Sequence, residues 1–218
     1  MVITKTYTEP PVCEKEILRY AGCKGTPDEG VRTLLEECLE EALPRLSYKV
    51  CYVELPVVIN EGICDFGCMK VESQNLAKNL QSCEKAILFA ATIGVEMDRL
   101  IRKYGAISPA KAVMLQALGA ERIESLCDAF CAERLDLRPR FSPGYGDLAL
   151  ETQKEIFQIL GCSKNIGLSL NDSLLMSPSK SVTAFVGLDA VRDNLASEEK
   201  RKINACATCS KADCTFRK

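Results

Sequence analysis

A continuous apolar segment in the first half of the chain limits its fold more strongly than any other feature. Residues 86–91 read Ala-Ile-Leu-Phe-Ala-Ala, and Gly94 follows shortly after them. A run of this length is far shorter than a membrane span. It is typical of a strand that is buried in the middle of a sheet. We therefore predict a central strand over residues 84–93, which the other segments must flank and cover.

Alternating residue types predict further strands before and after this segment. Residues 48–59 alternate up to a break at Pro56, and a turn at residues 60–62 leads into one or two short strands within residues 63–71. Turns this short favour antiparallel pairing of the strands that they join. A last strand is predicted over residues 181–188.

Helical segments separate the strands. We predict helices over residues 11–22, 26–43, 73–80, 96–104, 108–135, 148–160 and 189–201. The fold class expected from this order is α+β (mixed α/β), a single domain with a mostly antiparallel, twisted sheet flanked by helices. The domain is expected to cover residues 1–200, and a cysteine-containing tail follows over residues 201–218.

Local signals predict where three of these helices begin or end. Thr26, followed by Pro27 and Glu29, has the pattern of a capping box, so Thr26 is predicted to be an N-cap. Gly105 is predicted to end the helix over residues 96–104. Asp147 is predicted to cap the helix that follows it.

The composition excludes several classes of function. The chain has 218 residues, a formal net charge of −2 and no histidine. Without histidine there can be no serine–histidine triad or imidazole metal ligand, and the charge balance argues against nucleic-acid binding. No membrane span or signal peptide is evident, so we expect no membrane association and a cytoplasmic location. The thirteen cysteines are then expected to be reduced thiols.

A loop between the helices over residues 108–135 and 148–160 carries the residues best suited to binding a ligand. It reads Arg-Phe-Ser-Pro-Gly-Tyr-Gly-Asp over residues 140–147. Arg140 can hold a carboxylate through two hydrogen bonds, Tyr145 offers a flat face and a hydroxyl, and Gly144 lets a ligand approach the backbone. The alternative interpretation is a Pro-Gly turn that joins two helices and carries an exposed arginine.

Ordered motifs resemble the activation (reactivation) domain of cobalamin-dependent methionine synthase. They are Ala120-Glu121-Arg122, then Arg140-x-x-Pro143-Gly144-Tyr145, and then Leu175-Met176-x-Pro178 followed by Ser181-Val182. These motifs match in order and spacing across residues 117–188, about a third of the chain. The resemblance implies a domain that binds S-adenosylmethionine and caps a cobalamin-bearing domain.

The resemblance also implies roles for the loop. Arg140 takes the carboxylate of the ligand, the backbone around Ser142, Pro143 and Gly144 holds its amino and adenosine parts, and Tyr145 lies near the corrin face. One-electron reduction of inactive cob(II)alamin and methyl transfer from S-adenosylmethionine then restore methylcobalamin. The implied partners are a cobalamin-binding methionine synthase chain or another corrinoid protein, and an electron donor such as flavodoxin or ferredoxin. A tyrosine that contributes to ligand binding further downstream in the family has no evident match after residue 188.

Cysteines near the C-terminus predict a second site. Three of them have the close spacing of thiolate metal ligands: Cys206, Cys209 and Cys214. They could hold an iron–sulfur cluster or zinc, with Cys64 and Cys68 as candidates for completing the site, and the alternative is a thiol-rich tail without metal. Cys127 and Cys131 share one face of the long helix, where a core position is favoured over half of a metal site.

These observations leave three functions open. The first is a standalone reactivation module that binds S-adenosylmethionine and supports reductive methylation of cob(II)alamin on a partner methionine synthase or similar corrinoid methyltransferase. The second is a capping module that binds a corrinoid protein without methyl-transfer chemistry. The third is a metal or iron–sulfur redox protein centred on the cysteine tail. We do not expect the chain to be active alone.

Overall fold

The computed structural model describes residues 1–134 and 137–189. The strands in this part of the chain are β1 (Ile3–Tyr7), β2 (Tyr48–Pro56), β3 (Val58–Asn60), β4 (Ile63–Asp65), β5 (Lys70–Glu72), β6 (Cys83–Thr92), β7 (Ser169–Leu170), β8 (Met176–Ser177) and β9 (Ser181–Asp189). The helices are α1 (Glu14–Tyr20), α2 (Glu29–Ala42), α3 (Gln74–Asn79), α4 (Glu96–Ile107), α5 (Pro109–Ala132), α6 (Thr152–Leu160) and α7 (Cys162–Ile166). None of these helices combines the length and apolarity that crossing a membrane would require. The helix predicted over residues 189–201 and the boundary predicted at residue 200 lie outside the described residues, apart from the first residue of that helix, which ends β9.

The apolar run forms the predicted central strand. β6 lies in a four-stranded antiparallel sheet with the order β1-β2-β6-β9. Phe89 pairs with Tyr52 in β2 on one side and with Ala184 in β9 on the other. The side chains of β6 from Ala86 to Thr92 are all buried. The predicted fold class is thereby confirmed, because helices and antiparallel sheet combine in a single domain.

Each face of this sheet has its own apolar core. On one face, Phe89 and Val186 pack with residues of α1, α2, α4 and α5. On the other face, Leu88 and Phe185 pack with residues of α3, α6 and α7. Neighbouring residues of a strand point to opposite faces, so β6 and β9 contribute to both cores. The sheet is therefore the middle layer between two sets of helices.

A small antiparallel sheet, β3-β4-β5, extends the second of these layers. Cys64 in β4 pairs with Ile59 of β3 and with Val71 of β5. This arrangement confirms the predicted short antiparallel strands. Directly after β5, the Ser73 hydroxyl accepts a hydrogen bond from the Leu76 amide at 3.0 Å and so caps α3.

No sequence signal predicted β1, which forms one edge of the central sheet. Lys5 pairs with Val50 of β2, and the residues of β1 are exposed or half-buried. β1 is little covered by other elements, and edge strands commonly carry charged and polar side chains, so few apolar residues are needed there. The alternation of threonine, lysine and threonine is therefore compatible with a strand, but it is too polar to predict one.

The predicted start of α2 is wrong. The N-cap is Asp28, whose carboxylate accepts a hydrogen bond from the Val31 amide at 2.8 Å. Thr26 and Pro27 precede the helix instead of opening it. Aspartate and threonine are both good N-caps, and here it is the Asp28 carboxylate that lies within reach of a free amide of the first turn.

The predicted end of α4 is also wrong. The helix continues through Gly105 to Ile107. A glycine costs a helix only about 1 kcal/mol relative to alanine, which is too little to end a well-packed one. The helix ends because Ser108 precedes Pro109 and has an extended φ of −153°, as expected of a residue before proline.

A buried ion pair in α5 holds the N-terminal segment in place. The Arg122 guanidinium donates a hydrogen bond to Glu121 Oε2 at 2.6 Å, and both side chains are buried. The same guanidinium donates to the carbonyls of Pro10 and Pro11, each at 2.7 Å. The Glu121-Arg122 motif therefore anchors the segment between β1 and α1 on the long helix.

Candidate functional site

The segment before the predicted ligand loop extends the central sheet beyond β9. The Phe141 amide donates to the Phe185 carbonyl at 2.9 Å, and the Phe185 amide donates to the Phe141 carbonyl at 2.8 Å. Nearby, the Arg138 amide donates to the Gly187 carbonyl at 2.9 Å. These bonds fix the loop over residues 140–147 at the β9 edge of the sheet.

Backbone hydrogen bonds close the loop into a tight turn. The Tyr145 amide donates to the Ser142 carbonyl at 3.1 Å, and the Gly144 amide donates to the Leu148 carbonyl at 2.8 Å. Gly144 has a φ of +83°, a left-handed conformation that glycine adopts without a steric cost. Pro143 is buried, Ser142 is half-buried, and Gly144 is exposed. The turn thus places bare backbone at the surface on a rigid base.

Tyr145 presents an aromatic ring at this surface. Its ring packs edge-on against Phe141, with the ring centroids 5.9 Å apart. The residue is 39% exposed. Because Phe141 is itself tied to β9, this contact links the tyrosine ring to the sheet.

Asp147 was predicted to cap the helix that follows it in the chain. Its carboxylate instead caps α3, a helix that lies earlier in the chain. Its carboxylate accepts hydrogen bonds from the amides of Gln74 at 2.8 Å and Asn75 at 3.2 Å, and from the Ser73 hydroxyl. The hydrogen bond from Ser73, together with the two amides, lowers the pKa of Asp147. Residues 148–151 are not helical, and α6 begins only at Thr152. The prediction was wrong because the start of α3 lies within reach of the carboxylate.

Arg140 is bound to two carboxylates of α5. Its Nη1 donates to Asp128 Oδ1 at 2.6 Å, and its Nη2 donates to Glu124 Oε2 at 2.7 Å. Burial opposes the charge of the guanidinium, but Cys127 and these carboxylates raise the pKa of Arg140 overall. Arginine therefore stays charged, and its side chain remains 24% exposed.

The structure brings the five predicted binding residues together in one loop, and it shows two residues that sequence reasoning missed. Glu124 and Asp128 are four residues apart, which places them on one face of α5. That spacing was visible in the sequence, but nothing linked the pair to Arg140. A shallow cavity of about 300 Å³ lies beside Asp128 and is lined by Pro10, Pro11, Ser125, Asp128, Ala129 and Ala132.

The chain matches a known protein by structure and not by sequence. No family model matches the sequence, and no curated protein matches it. A crystal structure of the MetH reactivation domain bound to AdoHcy matches with a TM-score of 0.64 over 90% of this chain and 81% of that one. This chain has the fold of that domain. The sequences are 13% identical in this match, and the resemblance that the ordered motifs indicated is confirmed for the fold.

The predicted metal ligands of the tail, Cys206, Cys209 and Cys214, lie outside the described residues. In residues 1–134 and 137–189, no three Cys, Asp or Glu side chains are arranged to hold a metal ion. Cys64 is buried, which raises its pKa to about 11, whereas Cys68 is exposed. Any site that these two complete would therefore need a buried thiol to ionise.

Cys127 and Cys131 pack in the core on the α5 side of the sheet. Cys127 is fully buried there, and Cys131 packs against the same core. Burial raises the pKa of both thiols. The core interpretation of this pair is confirmed.

Proposed function

We propose that this protein binds S-adenosylmethionine and supports the reductive methylation of cob(II)alamin on a partner. The partner is a cobalamin-dependent methionine synthase chain or a similar corrinoid methyltransferase, and flavodoxin or ferredoxin is the class of electron donor. We place this reaction in the cytoplasm, where thiols stay reduced. The observation that carries the proposal is the Arg140 to Tyr145 loop, rigidly mounted on the fold of a domain whose solved structure holds AdoHcy.

The loop offers three kinds of group for the ligand. Arg140 presents a charged guanidinium for the ligand carboxylate. The backbone at Ser142 and Gly144 lies in a turn that a ligand can approach closely, since Gly144 has no side chain and is exposed. The exposed ring of Tyr145 is a flat apolar surface for the corrin of the partner.

The protein contributes placement rather than acid–base chemistry. The methyl group of a sulfonium is already activated, and the reduced corrinoid supplies the nucleophile. Holding the two reactants in line and excluding water is then sufficient for catalysis. The absence of histidine is consistent with this role.

Isothermal titration of S-adenosylmethionine into anaerobically purified protein tests the proposal. We expect binding by the wild type and at least about tenfold weaker binding by Arg140→Ala, because the ligand carboxylate loses a charge-assisted hydrogen bond. Arg99→Ala is the matched control, since Arg99 is an exposed arginine of α4 that pairs with Glu96. Equal affinities in all three proteins, or no binding by the wild type, would reject the proposal.

A capping module without methyl transfer is the second candidate. The occupation of Arg140 by Glu124 and Asp128 favours it, because a ligand carboxylate must share or displace these partners. Tight binding to a corrinoid protein together with no affinity for S-adenosylmethionine would support this role.

A redox role centred on the cysteine tail is tested by truncation after Ile203. Loss of all activity in that variant would favour the redox role of the cysteine tail. The reactivation proposal allows the truncated protein to keep part of its function.

A further inference from the structure

The charges of Arg140 and its two ion-pair partners do not balance. The guanidinium contributes one positive charge, and Glu124 and Asp128 contribute two negative charges at distances of 2.7 and 2.6 Å from it. The side chains of both acids also remain accessible, with exposures of 48% for Glu124 and 71% for Asp128. A ligand that reaches Arg140 therefore meets a cluster that is negative overall, although the arginine itself is positive.

The ligand of the proposed reaction changes its charge when it reacts. S-adenosylmethionine carries a carboxylate, an ammonium and a sulfonium. In methyl transfer the reduced corrinoid of the partner donates the electron pair that binds the methyl carbon, the bond between sulfur and that carbon breaks with its electron pair staying on sulfur, and a neutral thioether remains. The carboxylate, the ammonium and the adenosine are the same in the substrate and in the product, so the sulfur is the one centre whose charge differs.

We propose that Glu124 and Asp128 make the Arg140 site prefer the cationic sulfonium over the neutral thioether. This inference rests on the proposed function. The sulfur is four bonds from the carboxylate carbon that Arg140 holds, well within the roughly 8–10 Å over which charges interact at physiological salt. The two acids attract the sulfonium across this distance and lose that attraction once the methyl group has left. They are specificity-determining residues that also favour release of the product.

The test compares the dissociation constants of S-adenosylmethionine and S-adenosylhomocysteine for the wild type, Glu124→Gln and Asp128→Asn. We expect the wild type to prefer S-adenosylmethionine, and each substitution to reduce that preference about two- to fivefold, the size of one charge–charge interaction near a hydrated surface. The ratio of the two constants isolates the sulfonium, because a freed Arg140 would change the affinity for both ligands alike. Glu36→Gln is the control, since Glu36 is an exposed acid of α2.

Varying the ionic strength distinguishes an electrostatic preference for S-adenosylmethionine from a preference that comes from the shape of the site. A preference that comes from the two acids must decrease as salt is raised to about 0.5 M, whereas a pocket for the methyl group would keep its preference. Binding of both ligands with an unchanged ratio in the two variants would overturn this inference and leave the proposed function standing. Failure of the wild type to bind either ligand would instead overturn the proposed function and this inference with it.

Discussion

The carboxylate of Asp147 accepts a hydrogen bond from the backbone amide of Gln74, 73 residues earlier in the chain, at 2.8 Å. This contact ties the far end of the ligand loop to α3, which packs on one face of the central sheet. At the other end of the loop, Arg140 is tied to α5, which packs on the opposite face. The loop therefore bridges both layers across the β9 edge.

We expect Asp147→Ala to lower the free energy of unfolding by about 1 kcal/mol, the usual effect of losing a helix cap. The pKa of Asp147 is lowered below its ordinary value of 3.8, so its contribution is present above that value and is lost as the pH falls through the folded pKa. Urea denaturation at pH 7 and at pH 3 measures both effects. Asp172→Asn, an exposed aspartate between β7 and β8, serves as the control. Equal stability of Asp147→Ala and wild type at pH 7 would contradict the role of the cap.

Glu41 joins three helices through one carboxylate. It accepts hydrogen bonds from Lys103 at 3.0 Å and Tyr104 at 2.7 Å, both in α4, and pairs with Lys111 of α5 at 3.2 Å. Burial opposes its charge, but these three donors lower the pKa of Glu41 to about 2. The network therefore stabilises the packing of α2 on α4 and α5.

We expect Glu41→Gln to destabilise the protein by about 1–3 kcal/mol at neutral pH, since the bonds to a charged acceptor are lost. In the wild type the contribution of Glu41 is fully present above pH 4.5 and is lost as the pH falls toward 2. The difference in melting temperature between wild type and variant should thus shrink over this range. A difference that stays constant from pH 7 to pH 2 would show that the charge of Glu41 is not its cause.

We expect Arg122→Met to cost about 3–5 kcal/mol, because it leaves the buried Glu121 carboxylate without its positively charged partner. The double variant Glu121→Gln/Arg122→Met should cost less than the sum of the two single changes, since it removes the uncompensated charge. Chemical denaturation of Glu121→Gln, Arg122→Met and the double variant gives the coupling free energy between the two side chains. Proteolysis of the segment around Pro10 and Pro11 should also accelerate in Arg122→Met, as both carbonyls lose their donor. Additive costs and unchanged proteolysis would be inconsistent with this anchoring role.

We expect Gly144→Ala to destabilise the loop by about 1–2 kcal/mol, because its φ of +83° is unfavourable for alanine. The added methyl group would also lie 3.3 Å from Leu150 Cδ1. Gly105→Ala in α4 is the matched control and should stabilise the protein by about 0.5–1 kcal/mol, since an added methyl group there meets open space. Thermal denaturation of both variants distinguishes the two glycines. A gain in stability from Gly144→Ala would exclude the left-handed turn.

Sequence patterns predicted those elements whose environment places the same requirement on a run of neighbouring residues. β6 could be predicted because a strand buried on both faces requires apolar residues at every position from Ala86 to Ala91. The order of residues in the ligand loop could be recognised because a turn with Pro143 and Gly144 is specified locally. In both cases the physical requirement acts on neighbouring residues of the chain.

The contacts that the sequence did not predict depend on how distant elements pack. Asp147 had a local alternative as the cap of the next helix, and only the position of α3 decides between the two. Likewise, the acidic residues Glu124 and Asp128 of α5 are ordinary exposed residues until Arg140 is placed beside them. Hydrogen bonds and ion pairs between distant residues leave no periodic pattern in the sequence, since any polar residue within reach can form them.

The pairing of Phe141 with Phe185 has a consequence for the order in which the molecule folds. The loop is attached to the sheet through β9, and β9 in turn pairs only with β6 among the strands of the central sheet. A contact between such distant residues forms late, because closing the chain between them must first be compensated by strand pairing. A nascent chain that has emerged only as far as α7 therefore has every residue of the loop but not yet the strand that holds the loop at the edge of the sheet.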